Sequence, residues 1–246
     1  MAHLYLVDSA QRLIAGHTVA LVDDEARHAA KAARLRVGER VSVGDGRGVT
    51  ALAEATSVSP ERVELVVLET HHPEGWSPEL WLVQSLAKGG RDEQAIEQAT
   101  EVGVDAVVPL AAARSVVRWE ADKALKGQAR WQKIVTEATK QSLQPTIPTV
   151  QPVVTIQGFL EQAASVQLIA LDHRADHNIL DVSLDPLEGA APIAVLVGPE
   201  GGWSDEERDA LTVSGAAWAS LGPGVLRASS AGPIALTLVH ARLRHW

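Results

Sequence analysis

From Glu79 onward the chain alternates short apolar runs of strand length with segments of helical period, and this rhythm restricts its fold more than any other feature. ELWLVQSLA (79–87), DAVVPL (105–110), VQLIAL (166–171) and PIAVLVG (192–198) read as strands, and AAWASL (216–221) as a shorter one. DEQAIEQATEVG (92–103) has the spacing of an amphipathic helix closed by Gly103. Residues 120–141 form a long basic helix, with further helices near 155–165, from Ser204 and from about Ser230. Such alternation implies the α/β class, with a mostly parallel sheet covered on both faces.

The first 70 residues follow a different pattern. Asp23 and Asp24 cap a short basic helix ending near Arg36, where Gly38 suits a left-handed terminating position. VSVGDGRGVTALAEATSV reads as two strands about a tight Asp45-Gly46 turn, and ERVELVVLE as a third strand after Ser59-Pro60. Three short strands and a helix suggest a small barrel-like module. The Pro- and Gly-punctuated residues 71–78 then divide the chain into a domain at 1–70 and a second at 79–246.

Composition removes several classes of function. The 246 residues are 46% apolar, enough for a real core, yet no apolar run approaches the roughly 20 residues of a membrane-spanning helix. The start, MAHLYLVDSAQ, lacks the basic and apolar stretches of a secretory signal, which predicts a cytoplasmic protein with no membrane partner. Without cysteine there is no disulfide framework, no thiolate metal site and no cysteine nucleophile. The net charge of −9 conceals two basic stretches. Residues 27–47 carry Arg27, Lys31, Arg34, Arg36, Arg40 and Arg47 against Glu39 and Asp45, and residues 114–140 carry seven Lys or Arg against three acids. Each is +4, and each is either a phosphate-tracking surface or an ordinary solvated face.

Two loops hold the most chemistry. In VGPEGGWSDEE (197–207) a buried strand ends at Gly198, glycines and a proline fill the turn, and Ser204 with Glu207 makes a capping box. LGPGVLRASSAGPIAL (221–236) likewise follows a strand and leads into an Ala-rich helix. Ligands of open α/β sheets bind at the carboxyl ends of strands, and glycine lets backbone amides approach closely. If the two strands are adjacent, the loops wall one pocket, with Arg227 available for an anion. Other patterns fail: no phosphate-binding lysine loop is present, and the glycines of GDGRG lead into a strand where a dinucleotide fingerprint requires a helix. Asp172-His173 and Asp176-His177 place two imidazoles four apart, but without a clear helix or a glutamate base they read as surface histidines, and no metal is expected. The seven tryptophans, Trp76, Trp81, Trp119, Trp131, Trp203, Trp218 and Trp246, are scattered as core or interface anchors; only Trp203 lies inside a glycine loop.

At these loops the sequence resembles the SPOUT superfamily of knotted methyltransferases, and within it the RsmE family of small-subunit ribosomal RNA uridine-N3 methyltransferases. HAAKAARLRVGERVSVGDGRG (28–48) resembles the family's PUA-like RNA-binding barrel, and KGGRDEQAIEQATEVGVDAVVPL (88–110) its Lys-Gly-x-Arg segment. ARSVVRW and RWQKIVTEATKQS resemble its central stretch, and the two Gly-Pro loops its cofactor loops. The resemblance implies a C-terminal knotted parallel-sheet domain preceded by a small PUA-like β-barrel. It implies S-adenosylmethionine held between Val197, Gly198, Pro199, Glu200 and Gly201 on one side and Leu221, Gly222, Val225, Leu226 and Arg227 on the other. The implied substrate is 16S ribosomal RNA, within the 30S subunit, and the implied assembly a homodimer. The chain departs from the family at Gly224, where arginine is common, and at Ala228-Ser229-Ser230, where Thr-Glu-Thr is common.

Methylation at uridine N3 needs alignment and removal of one proton but no enzyme nucleophile, which agrees with the absence of cysteine. On this reading the catalytic candidates are Arg91, Glu200 and Arg227, and the RNA-binding candidates Arg27, Lys31, Arg34, Arg36, Lys88 and Arg91. A non-catalytic RNA-binding module, a methyltransferase acting on another RNA and a nucleotide-binding enzyme are the competing readings.

Overall fold

The computed structural model describes residues 3–8, 11–73, 75, 77–120, 122–184 and 191–245. Trp76, Trp246 and part of the expected 71–78 linker lie outside them. The chain divides into two compact units, the first comprising Met1–Gly75 with Glu137–Ile147 and the second Trp76–Thr136 with Pro148–Trp246.

The first unit is a five-stranded curled sheet of β1 (Leu4–Leu6), β2 (Thr18–Val22), β3 (Arg40–Gly44), β4 (Thr50–Val58) and β5 (Arg62–His71). Its order is β1-β3-β4-β5-β2, antiparallel except for the parallel pair β1 and β3. Two strands thus precede the three expected from sequence, and β5 runs into the segment expected to be linker. Alternation along β4 and β5 sends Ala51, Ala53, Ala55, Val63, Leu65 and Val67 into one core, as a half-buried strand requires. The helix expected to end at Arg36 ends earlier. It comprises α1 (Asp23–Arg27) and a π-helical turn, His28–Ala32, and the left-handed residue that follows is Arg34, with φ 56°. The turn after β3 is also longer than a two-residue hairpin: Asp45 Oδ1 accepts from the amides of Arg47 and Val49 at 2.8 and 3.0 Å, wrapping the chain about its own side chain. Within this unit Lys140 is buried between Glu25 and Glu137, at 2.6 and 3.1 Å.

The second unit follows the alternation predicted from sequence: β6 (Leu80–Ser85), α2 (Arg91–Glu101), β7 (Ala106–Leu110), α3 (Asp122–Ser142, whose last turns belong to the first unit), β8 (Thr149–Val150), α4 (Ile156–Gln162), β9 (Gln167–Leu171), β10 (Ile193–Val197), α5 (Asp205–Val213), β11 (Ala217–Ala219) and α6 (Ala228–Leu243). Its six strands are all parallel, in the order β11-β9-β10-β6-β7-β8. Strand β10 is buried along its whole length, as expected of a parallel strand covered on both faces. On one face α6 packs against α2 and across β6 and β10. On the other, Ile156 and Phe159 of α4 and Leu211 of α5 join Val83, Val108, Ala194 and Leu196 in a second core. Strand β8 has no counterpart in the sequence reading, being only two residues long.

One topological expectation is corrected. The two Gly-Pro loops do not leave adjacent strands: β9 lies between β10 and β11. Because all three are parallel and in register, with Leu171 opposite both Val197 and Ala219, their carboxyl ends finish at one level. The loops therefore flank a third segment, the exit of β9.

Candidate active site

That arrangement produces a cavity of about 470 Å³ at the carboxyl ends of β9, β10 and β11, in the size range of small-molecule pockets. It sits beside the point where chain connections leave the sheet in opposite directions, β6 leading to β7 and β10 to β11, the position at which open parallel sheets collect their ligands.

The first wall is the loop after β10. Trp203, 2% exposed, lies beneath it and donates from Nε1 to the Leu171 carbonyl at 3.0 Å, tying the loop to the end of β9. The loop can lie on the indole only because residue 198 is glycine: a Cβ there would stand 2.9 Å from Trp203 Cε2. At Gly201 a Cβ would meet the Arg114 Cβ at 3.1 Å, so glycine admits Arg114, which donates from Nη1 to the Gly201 carbonyl at 3.3 Å. The Ser204–Glu207 capping box predicted from sequence is present. Glu207 does more than cap: its Oε1 accepts from the Ala113 amide at 2.7 Å, fastening the loop after β7 to the start of α5.

The second wall is the loop after β11, where Leu221, Val225, Leu226 and Arg227 line the cavity ahead of α6. Gly224 lines it too, with open space around its Cα, so the missing arginine is not forced by crowding. The third wall, Leu171 to Arg174, is one that sequence reasoning missed. Asp172 has a side chain only 3% exposed. It accepts from Arg174 Nε and Nη2 at 3.2 and 3.1 Å and from the Arg174 amide at 2.8 Å, and it pairs with Arg208, which also stacks on Trp218. The signal that could have found this wall was present: VQLIAL ends at Leu171, and a strand end beside the glycine loop is where ligands bind. Among the described residues no three His, Asp or Glu side chains are placed to hold a metal.

Of the residues singled out beforehand, Arg91, Val197 to Gly201, Leu221 and Val225 to Arg227 all line this cavity. Gly222 and Lys88 do not; Lys88 is exposed near the start of α2. Arg91 opens α2, where a cation opposes the helix dipole, and Glu200 offsets it through a 3.1 Å ion pair, which joins two of the catalytic candidates.

Burial alone would raise the Asp172 carboxyl, but the hydrogen bonds and charge of Arg174 and the charge of Arg208 override it and hold the group at about 2. A carboxyl depressed in the folded state stabilises the fold above its unfolded value near 3.9 and loses that contribution as pH falls toward 2. Asp172→Asn should therefore cost on the order of 2 kcal/mol at pH 7, with the gap to the parent protein closing between about pH 4 and pH 2. Urea titrations of both proteins across that range will measure it; a gap independent of pH would mean the carboxylate charge is not what holds this wall.

A family described as an RNA methyltransferase domain matches residues 75–240, and one described as an RNA methyltransferase PUA domain matches residues 21–68. The ribosomal RNA small subunit methyltransferase E of Mycobacterium tuberculosis (strain CDC 1551 / Oshkosh) is 37% identical over 234 residues, covering 93% of this chain and 88% of its own. That of Bacillus subtilis (strain 168) is 27% identical over 245 residues, with coverages of 97% and 96%. Among solved structures, a ribosomal RNA small subunit methyltransferase E from Neisseria gonorrhoeae bound to S-adenosyl methionine has a TM-score of 0.86 at 27% identity, over 98% of each chain.

Proposed function

The chain belongs to the RNA methyltransferase family that includes ribosomal RNA small subunit methyltransferase E, and from that premise we propose that it transfers a methyl group from S-adenosylmethionine to N3 of a uridine in 16S ribosomal RNA. One observation carries this reading: two glycine-bearing loops and the end of β9 enclose a single small-molecule cavity at the strand ends. Its walls suit the donor, since Leu171, Val197, Leu221 and Leu226 supply apolar surface and Gly198 and Gly201 leave the backbone bare for close approach. Bound there, the donor supplies an electrophilic methyl carbon on a sulfonium.

The chain's own residues have two tasks. The loops hold the reactants in line and exclude water, converting a bimolecular encounter into an oriented one. The proton on N3 must leave, so that the nitrogen lone pair can form the new N–C bond while the C–S pair stays on sulfur. Two carboxylates line the cavity. Asp172 is saturated by Arg174 and Arg208 and held near 2, which makes it a poor base. Glu200, positioned by Arg91, is left as the acceptor of that proton.

The first unit binds RNA in this reading. Lys31, Arg34 and Arg36 are exposed, whereas Arg27 is engaged with Asp24. Reversing Arg34 and Arg36 to glutamate should weaken RNA binding at least 10-fold and lower its salt slope by roughly 2, with the affinity for S-adenosylmethionine unchanged. Filter binding over a salt series, with calorimetry for the donor, separates the two; parallel loss of both affinities would contradict the division of labour.

The same reading extends to a knotted second unit, a homodimer, a 30S-bound substrate and a cytoplasmic location. Val225, Leu226 and Ile234 support the dimer, being apolar side chains at least 39% exposed in and beside the α6 loop. No helix among the described residues is long and apolar enough to cross a membrane. The deciding experiment incubates the protein and labelled S-adenosylmethionine with unmethylated small subunits and with naked RNA, then maps the product nucleotide. Label at uridine N3 supports the reading, label on another atom or RNA redirects it, and donor uptake without transfer overturns it.

A further inference from the structure

Four guanidinium groups line the cavity, those of Arg91, Arg114, Arg174 and Arg227, against the two carboxylates of Asp172 and Glu200. The site thus carries a positive excess of two, although the donor proposed to bind there is itself cationic at sulfur. Excess positive charge beside a sulfonium is electrostatically costly unless a negative charge arrives or forms during the reaction. The question is which arginine meets it.

The four are not equivalent. Arg91 is paired with Glu200 at 3.1 Å and Arg174 with Asp172 at 3.1 Å, so each has a carboxylate already. Arg227 lies where the backbone turns into α6, and its side chain makes no capping hydrogen bond to that helix. Arg114 differs from all three. Its hydrogen bond goes to an uncharged acceptor, the Gly201 carbonyl, which fixes one Nη and leaves its charge uncompensated at that contact. Its stem lies against Gly201, where a side chain would crowd it. The two residues before it are clamped: Arg118 donates to the carbonyls of Ala112 and Ala113 at 3.1 and 2.8 Å, and the Ala113 amide donates to Glu207. Glu206, in the exposed first turn of α5, has its carboxyl lowered first by a backbone amide and then by the Ser204 side chain, with the Arg114 charge the smallest contribution, and it forms no ion pair with Arg114.

Arg114 is exposed and tethered by its 3.3 Å hydrogen bond to the Gly201 carbonyl, so its guanidinium is aimed along the Gly201 wall with most of its five donors unused, and a donor aimed before the charge appears has less to reorganise when it does. We propose that Arg114 is a catalytic residue: its guanidinium donates to a carbonyl oxygen of the target base and stabilises the imide anion left when the ring nitrogen gives up its proton. This rests on the methyl-transfer reading above. It adds a residue outside both glycine loops, supplied by the segment after β7.

The test compares Arg114→Ala and Arg114→Lys with the parent protein. Arg114→Ala should lower kcat for methyl transfer 10²- to 10³-fold, the range for losing one preorganised oxyanion donor, with the donor's Kd within about twofold of the parent's and an unchanged unfolding midpoint. Arg114→Lys, retaining the charge without the fork, should recover part of the rate. The defect of Arg114→Ala should narrow as pH rises, because an imide that ionises unaided needs less help. An effect on KM alone would make Arg114 a phosphate contact and overturn the proposal, as would loss of donor affinity in step with rate, which would mean that it only shapes the Gly201 loop. A parent protein that transfers no methyl to RNA would sink the functional reading itself, whereas an active parent with an equally active Arg114→Ala variant would sink only this assignment.

Discussion

Gly198→Val should weaken S-adenosylmethionine binding by on the order of 100-fold. The added Cβ would stand 2.9 Å from Trp203 Cε2 and 3.1 Å from its Nε1, and valine adds two methyl groups beyond it. The indole cannot yield, being 2% exposed and anchored through Nε1 to the Leu171 carbonyl. The clash must therefore be relieved by the loop, which moves the backbone of residues 198–201 away from the end of β9. Overpacking of this kind costs about 1–3 kcal/mol, and the upper end of that range, expressed as lost binding, is the 100-fold change. Calorimetric titration with the donor measures the affinity, and an unfolding curve checks that the variant remains folded. Unaltered affinity in a folded variant would show that the donor does not depend on this loop lying flat against the tryptophan.

Trp203→Ala should destabilise the second unit by about 3–5 kcal/mol, the usual cost of removing a large buried aromatic side chain. For a unit of this size that corresponds to a fall in Tm of roughly 10 °C or more. The side chain fills the space between the loop after β10, the end of β9 and Trp218, which meets it edge-on at 6.4 Å between ring centroids. Trp203→Phe keeps most of the apolar contact but leaves the Leu171 carbonyl without its donor, and should lose about 1–3 kcal/mol. The two positions are coupled. In a Trp203→Ala background a Cβ at residue 198 meets a cavity instead of an indole, so the penalty of Gly198→Ala should shrink there, with a coupling energy in the range of 0.5–3 kcal/mol expected for contacting residues. Strict additivity would mean that the two residues do not share the space their geometry assigns them.

The elements of the second unit were legible in the sequence because each depends on local pattern. Strand β10 is five consecutive apolar residues, α2 has helical spacing, and Ser204 with Glu207 marks the start of α5 within one residue. The elements that escaped carry weak local signals. Strand β8 is two residues long, β1 is three, and the π-helical turn after α1 is one that propensity does not foresee; β2, the five-residue run TVALV, is the exception, a strand whose local signal was present. For the site, the two glycine loops and the Lys-Gly-x-Arg segment were enough to nominate Arg91 and Glu200, which the fold brings to 3.1 Å from each other. Arg114 and Asp172 were not nominated, because neither lies in a glycine-rich motif: Arg114 draws its significance from Gly201, far along the chain, and Asp172, although bonded to nearby Arg174, becomes part of a wall only through the fold that brings Arg208 and the β10 loop beside it.

The sequence by itself determined that the second unit is a parallel α/β sheet with glycine-rich strand exits, since hydrophobic period, capping residues and glycine content are properties of neighbours along the chain. Only the tertiary structure decided that β9 stands between β10 and β11, and hence that the cavity has three walls instead of two. Strand order is set by which faces can be buried against which helices, a balance summed over the whole unit that no stretch of residues encodes alone. The same packing left Arg114 with a backbone carbonyl for a partner while Arg91 and Arg174 found carboxylates, so charge in the cavity was distributed by the fold and not by any motif.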